Sequence, residues 1–276
     1  MIPARWLDLG HTDPWTFHST YAGVAATRSD DLLPTVVWGR VAPHVCLGQG
    51  QGMCELANWL DVPVVRRPLG GGTVWVDEMQ LSYAIVAPLE SAPLRHVDWY
   101  EWALGPAIAT FRCLGLAVER QAEDLWIAGR KIAGSGAATI GRSAVVASSF
   151  LLHFPRARFT HAVAATSRGF RTRLFEALGL AMTDWSEHAP VPEGASVRAA
   201  FAEAAAGTLG WNLTPGDVSV VEAAEIHSWR AELSEPIEPG IRRVPGGVKL
   251  NAMLTLAMEG GAPVLRRQGA EAPARA

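Results

Sequence analysis

The chain has 276 residues, of which 49% are hydrophobic and 18% charged, and its formal net charge is −3. This composition is typical of a globular protein with a sizeable core, and the near-neutral charge argues against a dedicated nucleic-acid binder. Only three cysteines occur, with no CxxC pair, which excludes a disulfide scaffold and a zinc ribbon and favours a reducing cytosol.

Apolar residues at helical spacing predict helices over residues 14–27, 52–60, 97–114, 170–178, 197–209 and 221–233. Short β-branched or aromatic runs predict strands over residues 35–38, 44–47, 62–67, 73–76, 81–87, 125–128, 131–134 and 144–152. Because many strands follow one another with few helices between them, we expect an α+β fold of mixed, largely antiparallel sheets with flanking helices.

Two proline-containing stretches, at residues 189–194 and 235–240, mark surface connections. They divide the chain into a main domain over residues 1–234, whose end segment from 188 to 234 is helical, and a short β element over residues 235–265. Residues 266–276 are small and polar, so we expect a disordered tail there.

No apolar stretch reaches the ~18 residues that a membrane-spanning helix needs. The first residues also lack the apolar core of a signal peptide. We therefore expect a cytoplasmic protein that binds neither membranes nor nucleic acid.

Three consecutive glycines follow a predicted strand that ends in Arg66 and Arg67; they are Gly70, Gly71 and Gly72. Glycines in a row cost chain entropy, and they make sense where a ligand approaches the main chain closely. Bare amide N–H groups beside an arginine can bind an anion. A loose hairpin is the plainer interpretation, but the two arginines and Asp77 at the far end of the next strand favour an anion site. The pattern is neither a P-loop nor a dinucleotide-binding GxGxxG.

A second motif, AGRKIAGSG, spans residues 128–136. Its Ala128–Gly129 pair predicts a tight hairpin turn, and strand alternation puts Lys131, Ala133 and Ser135 on one face. Small residues beside a lysine leave room for a carboxylate or phosphate, whose charge a mobile ammonium can follow during acyl activation. A surface lysine without such a role remains the alternative for this motif alone.

Three segments together resemble the lipoate-protein ligase A family of the biotin/lipoate ligase and octanoyltransferase superfamily. They are RRPLGGGTVWVD at residues 66–77, the AGRKIAGSG hairpin and SSFLLHF at residues 148–154. PHVCLGQGQ at residues 43–51 is similar to an early strand and turn of that family. The resemblance covers about residues 35–180 and implies a biotin/lipoate-ligase-like catalytic domain.

The resemblance also implies roles for individual residues. Lys131 would be the catalytic residue that grips the reacting carboxyl and phosphate oxygens, and Arg67 would face the nucleotide or acyl-adenylate phosphate. The other implied ligand-binding positions are Gly70, Gly71, Gly72, Thr73, Val74, Asp77, Ser82, Tyr83, Asp124, Gly134 and Ser135. Either Ser82 with Ala84, or Tyr83 with Ile85, would line the acyl tunnel, depending on which strand face points inward.

The implied activity is an ATP-dependent ligase, with Mg²⁺ as the counter-ion of the nucleotide. It would convert lipoate or octanoate to the acyl-adenylate and transfer the acyl group to a lysine of an apo lipoyl carrier. That carrier would be a lipoyl domain of a 2-oxo acid dehydrogenase, a glycine-cleavage H protein or a related protein. Residues 242–259 resemble only the start of the family's accessory domain, so a separate accessory chain is a further possible partner.

Two alternatives have different requirements. An ATP-independent octanoyltransferase needs a thiol in the pocket. The helical pattern around Cys113 predicts a core position, and Cys46 and Cys54 are interpreted as structural, so the ligase is favoured. A non-catalytic acyl- or lipoyl-domain-binding protein would retain the pocket without turnover.

Overall fold

A computed structural model describes residues 1–27 and 33–267, within which the chain forms fifteen strands and six α-helices. The strands are β1 (Ile2–Thr12), β2 (Thr35–Val41), β3 (His44–Leu47), β4 (Val64–Arg66), β5 (Val74–Val76), β6 (Gln80–Pro88), β7 (Glu119–Gln121), β8 (Asp124–Ile127), β9 (Arg130–Ala133), β10 (Gly136–Ile140), β11 (Ser143–Leu151), β12 (Trp211–Pro215), β13 (Gly247–Lys249), β14 (Leu254–Glu259) and β15 (Ala262–Arg267). The helices are α1 (Pro14–Ala26), α2 (Trp99–Cys113), α3 (Arg156–Ala162), α4 (Arg168–Ala181), α5 (Gly194–Leu209) and α6 (Val220–Leu233).

Six strands form the main sheet, in the order β10-β11-β6-β2-β1-β12. Its first four strands pair antiparallel, whereas β1 pairs parallel with both β2 and β12. Three smaller sheets have the orders β4-β3-β5, β7-β8-β9 and β13-β14-β15. The expected α+β class with mixed, largely antiparallel sheets is confirmed.

Helices pack on both faces of the main sheet, so its central strand β6 is buried on both sides. Residues of α2 and α5 pack with Tyr83 and Ile85 of β6 on one face. Residues of α1 and α6 pack with Ala84 and Val86 of the same strand on the other. Alternate residues of one strand therefore serve two different cores.

Local capping signals account for where α1 and α6 begin. Asp13 accepts a hydrogen bond from the Thr16 N–H and Pro14 occupies the first turn of α1. Ser219 and Glu222 form a reciprocal capping box at α6. Glu222 also accepts two hydrogen bonds from Arg5, at 2.9 and 2.5 Å, which attach α6 to β1.

The predicted helix over residues 52–60 is wrong, since only a 3₁₀ turn forms there, at Met53–Glu55. The N–H groups of Met53 and Cys54 donate to the carbonyls of Glu238 and Pro239, at 3.0 and 2.8 Å. A Cβ on Gly52 would lie 2.4 Å from the Pro239 carbonyl oxygen. The connection near residue 239 takes the hydrogen bonds that a helix would have used, so tertiary pairing overrides the local pattern.

Further differences concern the ends of the chain. β1 was not predicted, and β12 interrupts the end segment that was predicted as helical. Arg266 and Arg267, assigned to a disordered tail, lie in β15, where Arg266 pairs with Glu259. The rest of that predicted tail lies outside the described residues. None of the helices within the described ranges is both long and apolar enough to cross a membrane.

Candidate functional site

A cavity with a volume of about 270 Å³ lies where the main sheet meets the smaller sheets. Its wall is formed by several elements: β6 and β11 of the main sheet, β5, β9, α4 and residues 243–252. Most of the sequence-predicted site residues line it, namely Arg67, Gly71, Gly72, Thr73, Val74, Ser82, Asp124, Lys131, Gly134 and Ser135. The two motifs, about 60 residues apart in the sequence, therefore share one cavity wall.

The hairpin of β8 and β9 positions Lys131. Its turn residues Ala128 and Gly129 have φ of 49° and 74°, the left-handed conformation that a tight primed turn requires. Lys131 Nζ lies 3.0 Å from Asp124 Oδ2, and the two side chains are only 14% and 5% exposed. Because the carboxylate of Asp124 faces the ammonium directly, Lys131 is held in one place beside the cavity.

Gly134 provides the space that the lysine occupies. A Cβ at this position would lie 3.0 Å from Lys131 Nζ and 3.1 Å from its Cε. Ser148 donates a hydrogen bond to the Gly134 carbonyl at 2.8 Å, and Ser135 donates one to the Glu123 carbonyl. These two serines fix the main chain around the lysine.

Arg67 shapes the glycine loop, defined here as Gly70–Gly72. Its Nη2 donates to the carbonyls of Gly70 and Gly72 at 2.8 and 3.0 Å, and Nη1 donates to the Cys46 carbonyl at 3.3 Å. Gly71 has φ of +102°, which a residue with a Cβ rarely adopts. The guanidinium borders the cavity, and it divides its hydrogen bonds between the loop and Cys46.

Close backbone contacts bring the loop and the hairpin together. A Cβ on Gly48 would lie 2.2 Å from the Gly71 carbonyl oxygen, and one on Gly136 would lie 2.6 Å from that of Gly70. The Gly70 N–H donates to the Ala137 carbonyl at 3.2 Å. Within the described part of the chain, the N–H groups of Gly71 and Gly72 have no hydrogen-bond acceptor, which leaves them available to a ligand.

Three of the predicted positions do not line the cavity. Gly70, the first residue of the loop, turns away from the cavity and donates its N–H to the carbonyl of residue 137. Asp77 accepts hydrogen bonds from Trp75 Nε1 at 2.8 Å and from the Met79 N–H at 2.9 Å, so it positions the wall residue Trp75. Tyr83 requires a correction: it is fully buried on the opposite face of β6, with its ring centroid 4.9 Å from that of Phe201.

The cavity has an apolar portion as well as a polar one. Its apolar wall residues come from the region around α3, α4 and β13: Phe154, Phe159, Val163, Leu178, Met182, Val248 and Leu250. The polar part of the same lining includes Ser82 and the Lys131–Asp124 pair. A wall of this kind suits a small acid with an apolar tail.

A family model, the lipoyl protein ligase A/B catalytic domain, matches residues 22–206, which is about two thirds of the chain. The chain belongs to this family. The lipoate-protein ligase resemblance inferred from the two motifs is thereby confirmed.

Solved structures of lipoate-protein ligases share the fold of this lipoyl protein ligase domain. A chain from the lipoylation system of Thermoplasma acidophilum, which comprises a bipartite lipoate protein ligase and its E2 lipoyl domain, has a TM-score of 0.75 at 18% identity, over 84% of this chain and 93% of that one. The T. acidophilum protein Ta0514 with bound lipoic acid has a TM-score of 0.68 at 17% identity, over 84% and 95%. LipL1 of Plasmodium falciparum with lipoate has a TM-score of 0.65 at 11% identity, over 95% and 82%. No curated protein matches the sequence.

Lys249 is a cavity residue that the sequence analysis missed. The chain has 24 lysines and arginines together but only two lysines, Lys131 and Lys249, and both line this cavity. Lys249 ends β13 and forms no ion pair with any described residue. The scarcity of lysine could have pointed to Lys249, because every other Lys or Arg position in the sequence is an arginine apart from Lys131.

The cysteines are also placed differently from the expectation in this lipoyl protein ligase domain. Cys113, predicted in the core, is exposed at the end of α2. Cys46 is buried and lines the cavity beside Arg67 and His18. Burial alone raises the pKa of the Cys46 thiol, but Arg67 and a hydrogen bond with His44 outweigh burial and lower that pKa. Burial, together with Arg67, lowers the pKa of His18 to about 3.

Proposed function

We propose that the chain is an ATP-dependent lipoate-protein ligase. A carboxylate oxygen of lipoate or octanoate attacks the α-phosphorus of ATP, and pyrophosphate leaves. The amine of a carrier lysine then attacks the acyl carbonyl, AMP leaves and the nitrogen loses a proton. The observation that carries the proposal is the convergence of Lys131 and the glycine loop on one cavity that also has an apolar wall.

Lys131 opposes the charge that develops on the carboxyl and phosphate oxygens. Because Asp124 lies 3.0 Å from its ammonium, the charge is preorganised and needs little rearrangement during the reaction. Its remaining N–H groups, and those of Gly71 and Gly72, are donors for the ligand oxygens. A single donor aimed at a developing oxyanion is worth roughly 10²–10³-fold in rate.

Lys249 supplies a second positive charge from the C-terminal segment. It lines the same cavity as Lys131, so it is available to the phosphate oxygens of the nucleotide or of the departing pyrophosphate. Residues 243–252 thereby complete the wall from within the chain. We retain the division into a catalytic domain and a short accessory β element on this basis.

The apolar wall selects the acid and protects the intermediate. Phe159, Val163 and Leu178 are all buried, and they provide a surface on which an alkyl chain displaces water. An acyl-adenylate is a mixed anhydride that water hydrolyses, so exclusion of water preserves it until the carrier lysine arrives. Gln80 and Ser82 are the polar residues of β6 that line the cavity beside this apolar wall.

ATP and its Mg²⁺ counter-ion fit the charge composition of the site. Carboxylates that line the cavity, Glu55 and Glu123, are oxygen ligands of the type that Mg²⁺ prefers, alongside the phosphates themselves. A solved lipoate-protein ligase A of the same fold is bound with ATP, with a TM-score of 0.68 at 17% identity. The carrier is an apo lipoyl domain or an H protein, as the T. acidophilum ligase and its E2 lipoyl domain illustrate.

The direct experiment is incubation with ATP, Mg²⁺, lipoate and a panel of apo carriers, followed by intact-mass measurement of the carrier. We expect the lipoyl mass on at least one carrier. Lys131→Ala should reduce the rate by about 10²–10³-fold, whereas Arg95→Ala, which removes an exposed cation that pairs with Asp98, should not change it.

Omission of ATP separates the alternatives. Acyl transfer from an octanoylated carrier without ATP, abolished in Cys46→Ser, would instead identify an octanoyltransferase. Lipoate binding with no pyrophosphate release and no modified carrier would identify a non-catalytic binding protein. Either result would overturn the ligase proposal.

A further inference from the structure

A buried group of metal-binding side chains lies between α1 and β3, and the ligase mechanism does not use it. His18, His44 and Cys46 each offer one ligand atom, and these atoms all lie within 4.8 Å of one another. His18 and Cys46 border the cavity, whereas His44 is fully buried behind them. His44 and Cys46 are two residues apart on β3, whereas His18 comes from α1, so the group forms only because α1 packs beside β3.

The two distances that His18 Nε2 makes to the other ligand atoms are those of a tetrahedral zinc site. With Zn–N of roughly 2.0–2.1 Å and Zn–S of roughly 2.3 Å, a tetrahedron has N···N edges of about 3.3–3.4 Å and N···S edges of about 3.5–3.6 Å. His18 Nε2 lies 3.3 Å from His44 Nε2 and 3.6 Å from Cys46 Sγ. We propose that His18, His44 and Cys46 bind one divalent ion of the zinc class, with the fourth coordination position towards the cavity.

The outer nitrogens of both histidines have partners of their own. His44 Nδ1 lies 2.8 Å from the Ala42 carbonyl, which can only accept, so Nδ1 carries the proton and the Nε2 lone pair is free to bind an ion. His18 Nδ1 lies 3.0 Å from the Tyr21 hydroxyl. Such second partners fix the orientation of metal-binding imidazoles in proteins.

Arg67 influences what completes the site. Its Nη1 lies 3.4 Å from Cys46 Sγ, as a donor to a thiolate. The summed positive charge of the guanidinium and a divalent ion is larger than the single negative charge of that thiolate. An anionic oxygen from a cavity ligand would balance the excess, so we expect carboxylates or phosphates to strengthen metal binding.

A metal-free hydrogen-bond chain is the competing arrangement. In it, Tyr21 donates to His18 Nδ1, and His18 Nε2 donates to His44 Nε2 at 3.3 Å. Every group is then satisfied without an ion. The two arrangements differ in whether the Nε2 lone pair of His18 is free, and therefore in whether an ion can bind.

Cobalt(II) tests the site by absorption, without ATP, lipoate or carrier, so the result does not depend on the ligase activity. The metal-free chain should bind one cobalt ion, with tetrahedral d–d bands and a thiolate charge-transfer band, and zinc should displace it. Cys46→Ser should remove the charge-transfer band and weaken binding by more than about 100-fold, because even outer partners of metal ligands are worth roughly 10–100-fold. Cys113→Ser, at the exposed thiol, is the matched control and should bind as wild type.

X-ray absorption of the zinc-loaded wild-type chain needs no variant and keeps the test decisive if Cys46→Ser does not fold. We expect one sulfur at about 2.3 Å and two nitrogens at about 2.0 Å. Absence of stoichiometric binding, a coordination shell without sulfur, or loss of the thiolate band in Cys113→Ser instead of Cys46→Ser would overturn the proposal.

Discussion

Gly134→Ala tests whether the position of Lys131 controls the rate. The added Cβ would lie 3.0 Å from Nζ and 3.1 Å from Cε of the lysine, whereas ordinary contacts begin near 3.4 Å. The ammonium would therefore retreat by roughly half an ångström from its place beside Asp124. Gly134 does not have a positive φ, so alanine fits the backbone and the perturbation is confined to the lysine.

The size of the effect follows from this displacement. A misplacement of 1 Å can cost about 10²-fold in rate, so half of that corresponds to about 10-fold, or about 1.4 kcal/mol in activation free energy. The assay is single-turnover formation of the acyl-adenylate, accompanied by thermal unfolding to verify that the fold is unchanged. Gly50→Ala is the control, because its Cβ would meet nothing within 4 Å. A wild-type rate in Gly134→Ala, or an equal loss in Gly50→Ala, would refute the reasoning.

Three other substitutions test the surrounding structure. Tyr83→Phe should leave turnover unchanged, because Tyr83 does not line the cavity. Its free energy of unfolding should be equal or higher by up to about 1 kcal/mol, since the buried hydroxyl has no hydrogen-bond partner among the described residues. A raised KM would show that Tyr83 belongs to the ligand site. Gly48→Ala should raise KM and lower stability by about 1–3 kcal/mol in urea unfolding, because its Cβ would strike the Gly71 carbonyl; wild-type behaviour would contradict the loop contact. Burial alone would raise the pKa of Glu222, but hydrogen bonds from Arg5 and the N-cap of α6 outweigh it and lower that pKa below its ordinary value of 4.5. Glu222→Ala should therefore cost about 3 kcal/mol at pH 7. Since the depressed pKa stabilises only the ionised form, that difference should shrink as pH falls below about 4.5; a constant difference would contradict the ion pair.

The parts of the site that depend on short-range sequence were predictable. The Ala128–Gly129 turn requires left-handed residues, and alternation along β9 then places Lys131 and Ala133 on one face, where both line the cavity. The glycine loop was predictable because three consecutive glycines cost chain entropy, which favours a place where a ligand approaches the main chain. Both motifs line the cavity as a result.

The parts that depend on tertiary contacts were not predictable. β6 is buried on both faces, so alternation could not tell whether Ser82 or Tyr83 faces the cavity. The helix predicted over residues 52–60 failed because backbone groups near residue 239 compete for its N–H groups. Cys46 and His18 meet only because β3 packs beside α1, which no single-sequence pattern encodes.

A crystal structure with a stable acyl-sulfamate analogue of the lipoyl-adenylate tests the central claim most directly. The proposal places the alkyl chain against Phe159 and Leu178, and the phosphate-mimicking oxygens within hydrogen-bond distance of Lys131 and the N–H groups of the glycine loop. A ligand bound outside this cavity, or bound within it with its sulfamate away from Lys131, would contradict the account.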